Sequence, residues 1–281
     1  MITLSEKRIK ELEKNFSGKK IAVIGDMMLD GYFWGDVKRI SPEAPVPVLE
    51  VEEEFFRFGG AANVALNIST LGGIPVPVGI IGYDNYGTIF TSLLNKFIEN
   101  QINELDGIIL QDYNKGVLTE SLIKNVIDLA NKSKKLITVD PKFENFYCYK
   151  NSTVFKPNRK EAEAKLGAKI FTAEEISIAG KKLMEQLKAK YLLLTLGEEG
   201  IAIFENGKPV ERMETKARKV ADVSGAGDTV ISTLTIAMAA GADILEACYL
   251  ANYAGGLVCE EVGIVPIEQK KLFETVLKEH R

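Results

Sequence analysis

Short unbroken apolar runs alternate with segments of helical period along most of the chain. Lys19 to Asp26 reads Lys-Lys-Ile-Ala-Val-Ile-Gly-Asp, an apolar run closed by Gly and Asp, the pattern of a strand buried on both faces. Similar runs recur at Pro75 to Gly82, Asp106 to Asp112, Leu136 to Asp140, Thr153 to Phe155 and Tyr191 to Gly200. Leu4 to Phe16, Asn85 to Ile98 and Glu120 to Ala130 carry helical period, as do three segments near the end, Thr229 to Ala240, Ile244 to about Val262 and Pro266 to Lys278. Strands alternating with helices predict an α/β fold: a doubly wound, mostly parallel sheet flanked by helices, one domain over residues 1–281.

Two stretches depart from this alternation. Ile201 to Phe204, Glu205-Asn206-Gly207 and Pro209 to Met213 read as a hairpin, with Asn-Gly as the turn signal. Tyr32 to Val51 holds Arg39, the run Ser-Pro-Glu-Ala-Pro-Val-Pro-Val, and alternating Val46, Val48 and Val51; its prolines keep it out of a central sheet. It is expected to form a small β-stranded lid, about residues 32–57, that projects over a pocket or pairs with a second subunit. A plain surface hairpin would read the same way.

The polar residues gather where the strands end. Asp26, Tyr83-Asp84, Asp112 to Gly116, Asp140-Pro141-Lys142 and Lys156 to Glu161 follow apolar runs, and open α/β sheets bind ligands at the carboxyl ends of their strands. Two glycine-rich turns open onto helices. In Asp222-Val-Ser-Gly-Ala-Gly-Asp-Thr229, the backbone at Gly225, Ala226 and Gly227 can curl so that several N–H groups converge at a helix N-terminus, a site for phosphate. A carboxylate in that turn, Asp228, would repel phosphate unless it takes a proton from a hydroxyl attacking phosphorus. The plainer alternative is an acid favoured by the helix dipole. The second turn, Gly59-Gly60-Ala61-Ala62-Asn63, opens a helix of small residues that closes at Gly72-Gly73; there Asn63 can offer a donor and an acceptor to a pair of sugar hydroxyls, or the helix is simply tightly packed. Asn158 and Glu161, one helical turn apart, suit Mg²⁺ held through water, or equally an N-cap and its reciprocal glutamate. Asn252 interrupts an apolar helix and faces either a nucleotide base or a backbone group.

Composition removes several classes of function. A net charge of −4 without a basic block argues against nucleic-acid binding, and no apolar run has the length of a leader or membrane span, which places the chain in the cytoplasm. One histidine, His280, excludes a Ser-His-Asp or Cys-His set. Cys148, Cys248 and Cys259 have no metal-ligand spacing, and the last two lie about 16 Å apart along one expected helix, too far for a disulfide. The first strand is not followed by Gly-x-Gly-x-x-Gly, which counts against a dinucleotide-dependent dehydrogenase.

Taken together, Gly59-Gly60-Ala61-Ala62-Asn63 and Asp222-Val223-Ser224-Gly225-Ala226-Gly227-Asp228 make the chain resemble the ribokinase-like (PfkB) family of sugar kinases along nearly its whole length. Within it, Arg39 to Val48, Gly59 to Ala65, Asp112 to Gly116 and Asp140 to Lys142 look like the kinases that phosphorylate D-glycero-D-manno-heptose 7-phosphate at its anomeric hydroxyl, a step toward the lipopolysaccharide core. The resemblance implies ATP and Mg²⁺, with a monovalent cation near Asp222 left open. It implies Asp228 as base, Gly225, Ala226 and Gly227 as the hole for the transferring phosphate, and Asn158 and Glu161 for Mg²⁺. Thr195, Gly197 and Asn252 would line the nucleotide site. Asp26, Gly59, Gly60 and Asn63 would hold sugar hydroxyls, with Arg39 and Lys142 as candidates for a phosphate. The lid would join two subunits into a homodimer. Another sugar, sugar phosphate or nucleoside is the alternative substrate, and a non-catalytic sugar binder a further one. The family carries several tens of residues between positions corresponding to Asn100 and Gln101 that this sequence lacks, including part of the lid. No His-x-Gly-His stands in the chain, so nucleotidyl transfer is expected on a separate polypeptide.

Overall fold

A computed structural model describes residues 4–80, 102–216 and 221–279. Eight strands among these form one sheet in the order β10-β9-β8-β7-β6-β5-β1-β4. They are β1 (Lys20–Gly25), β4 (Ile74–Val78), β5 (Gly107–Gln111), β6 (Leu136–Asp140), β7 (Val154–Phe155), β8 (Tyr191–Thr195), β9 (Ile201–Glu205) and β10 (Glu211–Met213). From β4 to β8 the pairing is parallel; β9 and β10 turn back antiparallel, as the Asn-Gly turn predicts. Pro75 and Pro77 lie in β4, the edge strand, where a missing N–H costs no ladder bond on the open side.

Alternation along β1 shows why the sheet is covered twice. Ile21 and Val23 join the core beneath α1 (Glu6–Phe16), α2 (Ala61–Thr70), α6 (Ala226–Ala239), α7 (Ile244–Cys259) and α8 (Gln269–Glu279). Ala22 and Ile24 join the opposite core, beneath α3 (Glu120–Lys132) and α5 (Ala173–Leu187). The short α4 (Arg159–Leu166) follows β7. Helix α7 ends at Cys259, short of the expected Val262, and Gly263 follows with φ +75°. The helix expected at Asn85 to Ile98, the acid Asp84 and the junction of Asn100 with Gln101 lie outside the described residues. All three cysteines are free thiols. Among the described residues no helix is long and apolar enough to cross a membrane.

The lid is a separate antiparallel pair, β2 (Met27–Ile40) and β3 (Pro47–Gly60), longer than expected at both ends because Met27 already pairs with Gly60 two residues past β1. Register jumps from Trp34↔Glu53 to Gly35↔Val51, leaving Glu52 without a partner. That bulge keeps Leu49 and Val51 on the same face as Phe56 and Phe58, and across the pair this face also carries Leu29, Phe33 and Val37. All seven side chains are between 39% and 62% exposed. On the other face Tyr32 stacks on Phe55 at 5.1 Å, and the Arg57 guanidinium lies 5.5 and 5.3 Å from those two rings. Arg57 Nη1 also donates to the carbonyl of Ile264 (2.8 Å), tying the base of the lid to the loop after α7.

Candidate active site

Gly225 is the N-cap of α6 and adopts φ +77°; a Cβ there would meet Asn63 Nδ2 at 3.1 Å and Ile264 Cγ2 at 3.3 Å. The first helical bond of α6 runs from Thr229 N to the Gly225 carbonyl (3.0 Å), so the amides of Gly227 and Asp228 stand ahead of the ladder. Asp222 braces the turn by accepting from Ser224 N (2.9 Å) and from Gly263 N (3.0 Å).

Asp228 is buried beneath this turn and held by three side chains: Asn63 Nδ2 donates to Oδ2 (2.8 Å), while Gln111 Nε2 (3.0 Å) and the Tyr113 hydroxyl (2.9 Å) donate to Oδ1. Burial pushes its carboxyl up to about 6, against the pull of the Asn63 and Tyr113 bonds and of Lys156; Asp140 adds to the rise. Burial, with Asp228 and Asp140 nearby, also pushes the Tyr113 phenol far up, so it remains a neutral donor. The result is an oriented carboxylate whose proton affinity suits a general base near neutrality.

Around it the strand ends supply an alternating set of charges. Gln111 Nε2 also reaches Asp140 Oδ2 (3.3 Å), which pairs with the buried Lys156 ammonium (3.0 Å). Lys142 pairs with Glu161 Oε1 (2.7 Å) and lies over the Tyr113 ring at 5.2 Å. Burial pushes the Lys142 ammonium down, but Asp140 and Glu161 outweigh it and hold it above its ordinary value.

The other expected residues fall into place differently. Asn63 is buried on the base instead of facing open space. Asp26 spends its carboxylate on three backbone amides, those of Tyr113 (2.9 Å), Lys115 (3.0 Å) and Val117 (3.2 Å), and so fixes the loop that carries Tyr113. Gly59 and Gly60 let the lid fold tightly over the end of β1: a Cβ at Gly59 would strike Asp30 Oδ2 at 2.2 Å, and one at Gly60 the Asp26 carbonyl at 2.5 Å. Asn158 and Glu161 form a reciprocal capping box, Glu161 N to Asn158 Oδ1 (2.9 Å) and Asn158 N to Glu161 Oε2 (2.8 Å). Both Glu161 oxygens therefore already accept a bond, and among the described residues no three acidic, His or Cys side chains gather to hold a metal directly. The box leaves lone pairs for metal-bound water only, which is the mode expected of Mg²⁺. Thr195 bridges to Asn158 at the end of β8, and Gly197 follows with φ +66°. Asn252 Nδ2 donates to the Glu214 carbonyl (2.7 Å). Arg39 is exposed toward the far end of β2, paired across the lid with Val48.

Gln111, Tyr113, Asp140 and Lys156 were not singled out individually as site residues from sequence. Tyr113, Asp140 and Lys156 stand at strand ends marked as polar, and that position is their signal; Gln111 falls inside the run Asp106 to Asp112, which reads as strand and gives none.

The model of the pfkB family of carbohydrate kinases matches residues 18–103 and 97–270. The Bifunctional protein HldE of Desulfatibacillum aliphaticivorans is 36% identical over 307 aligned residues, covering 92% of this chain and 63% of that protein. That of Helicobacter pylori strain J99 is 38% identical, covering 87% and 64%. The chain thus spans a little under two thirds of the length of these curated relatives. Among solved structures, Arabidopsis thaliana ribokinase complexed with ribose and ATP superimposes with a TM-score of 0.72 at 18% identity, covering 92% of this chain and 99% of that one. Escherichia coli phosphofructokinase-2 in complex with fructose-6-phosphate does so with a TM-score of 0.71 at 18% identity, covering 93% and 99%. With a buried carboxylate at a glycine turn, a ribokinase-like sheet and a family match over most of its length, the chain belongs to the pfkB family of carbohydrate kinases.

Proposed function

We propose that the chain transfers the γ-phosphate of ATP to the anomeric hydroxyl of D-glycero-D-manno-heptose 7-phosphate, giving the 1,7-bisphosphate. The observation that carries the chemistry is Asp228, a buried carboxylate raised to about 6 and oriented by Asn63, Gln111 and Tyr113 under a turn where the amides of Gly227 and Asp228 stand ahead of the helical ladder. Asp228 takes the hydroxyl proton as the sugar oxygen bonds to the γ-phosphorus; the bond to the bridging oxygen breaks and its electron pair leaves with ADP. The Gly225 to Gly227 turn receives the charge that develops on the transferring group. A sugar hydroxyl would also supply a donor to Gln111 Oε1, which is buried and has none among the described residues. Mg²⁺, reached from Asn158 and Glu161 through water, would neutralise phosphate charge. The heptose assignment is supported by the sequence resemblance at Arg39 to Val48, Asp112 to Gly116 and Asp140 to Lys142, and by the similarity to the HldE proteins.

The exposed apolar face of the lid supports a homodimer in which two lids cover each other, since seven adjacent apolar side chains on one small sheet favour burial. A panel of sugars assayed for ATP consumption tests the substrate. Turnover that requires the distal phosphate of heptose 7-phosphate is the expected result; equal turnover with fructose 6-phosphate or ribose would remove the heptose assignment and leave the kinase.

A further inference from the structure

Lys156 is the feature of the site that the proposed chemistry has not used. Its side chain is 3% exposed, and among the described residues its one acceptor is Asp140 Oδ2 at 3.0 Å. An ammonium has three N–H bonds, so a single protein acceptor leaves capacity for another anion. A Cβ placed on Gly227 would lie 3.7 Å from Lys156 Nζ and 3.8 Å from Asp140 Oδ2. Glycine at 227 therefore puts no side chain between the ammonium and the turn.

The charges demand such a group. Asp228 and Asp140 both lie against this turn, and two carboxylates there would repel an incoming phosphoryl group. The other ammonium of the cluster, Lys142, is engaged with Glu161 at the start of α4. Lys156 is the cation next to Gly227. We infer that Lys156 is a further residue of the transfer machinery, whose buried positive charge lies under the glycine turn and stabilises the phosphoryl group as it passes from ATP to the sugar. Asp140 holds that charge in place, and Gln111 links Asp140 to the base, so cation and base are positioned by one chain of bonds. The inference rests on the turn being the phosphate hole, and deepens that reading by giving the hole its countercharge.

A buried Lys–Asp pair can also serve stability alone, so the test must separate the two roles. Lys156→Met by itself leaves Asp140 buried and uncompensated; the double variant D140N/K156M removes both charges with little change of shape, which folded proteins often tolerate. The readout is the thermal stabilisation of each protein by ADP with Mg²⁺, with and without aluminium fluoride as a mimic of the transferring phosphoryl group. Wild type should gain from aluminium fluoride beyond ADP alone. The double variant should keep the ADP shift, lose the extra one, and turn over about 100-fold more slowly with an unchanged sugar KM. Because Asp140 raises the Asp228 carboxyl more than Lys156 lowers it, loss of both charges should also move the acid limb of kcat to lower pH. A double variant that keeps the aluminium fluoride shift and most of its kcat would reduce Lys156 to half of a structural pair. Absence of the extra shift in wild type would instead overturn the phosphate-hole reading, and this inference with it.

Discussion

The strand ends beneath α6 and the lid above them are built on opposite principles. At the strand ends polar side chains are buried, and donors from Asn63, Gln111, Tyr113 and Lys156 converge on two carboxylates. In the lid, seven apolar side chains share one face and stay between 39% and 62% exposed. The first region is pre-organised by one chain alone, since buried polar groups in low dielectric hold their partners strongly. The second offers its apolar face to another surface, as the proposed homodimer would supply. Chemistry and assembly are thus assigned to different parts of the molecule, and substitutions should affect one without the other.

The largest effect is expected from Asp228→Asn. Loss of the proposed base should lower kcat about 1,000-fold, while ADP binding by calorimetry and the mass in solution stay as in wild type. Near-normal turnover would remove Asp228 from the mechanism. Phe56→Glu probes the opposite region. A carboxylate in the middle of the apolar face should weaken self-association roughly 30-fold or more in analytical ultracentrifugation, leaving the fold intact. Trp34, the chain's single tryptophan, lies in the lid and offers a fluorescence check on the same dilution series.

A smaller, graded effect should come from pH. With Asp228 at about 6, kcat/KM should fall about tenfold per unit below that value as the base is protonated. Stability should move the other way. A carboxyl raised above its ordinary 3.8 disfavours the folded state when ionised, so this residue's cost is full above about 6 and is relieved as pH falls from there toward 3.8. D228N should abolish that component in pH-dependent thermal melts. The smallest change is expected from Tyr113→Phe, which removes one of three donors to the base: about a fivefold loss of kcat at neutral pH, with the acid limb displaced upward.

Much of this was legible in the sequence. The run Ile21 to Ile24 and its counterparts announce strands buried on both sides, and their polar ends mark the reactive edge. Asp228 and Gly225 could be read because their meaning is local, a carboxylate and a left-handed residue at one helix start. Asn63 could be placed on its helix but not on its partner, since Asp228 lies 165 residues away and meets it only through the packing of α2 on α6. Gln111 and Tyr113 depend in the same way on β5 lying between β1 and β6. For Asn158 and Glu161 the spacing fitted a cap and a metal site equally, and coordinates supply the reciprocal cap bonds. Helix α5 carries its signals locally in the sequence, a Thr172/Glu175 box, then Ile176, Ala179, Leu183 and Leu187 on one side.

The three amides gathered by Asp26 have a consequence for how the enzyme comes into being. The loop that carries Tyr113 is secured by a residue 87 positions earlier, and the base it supports arrives 115 positions later. Contacts of such span form late, because loop closure precedes any return from them. A nascent or partly refolded chain therefore lacks an aligned base even when its glycine turn and helix have formed. Recovery of turnover during refolding should lag recovery of helical signal.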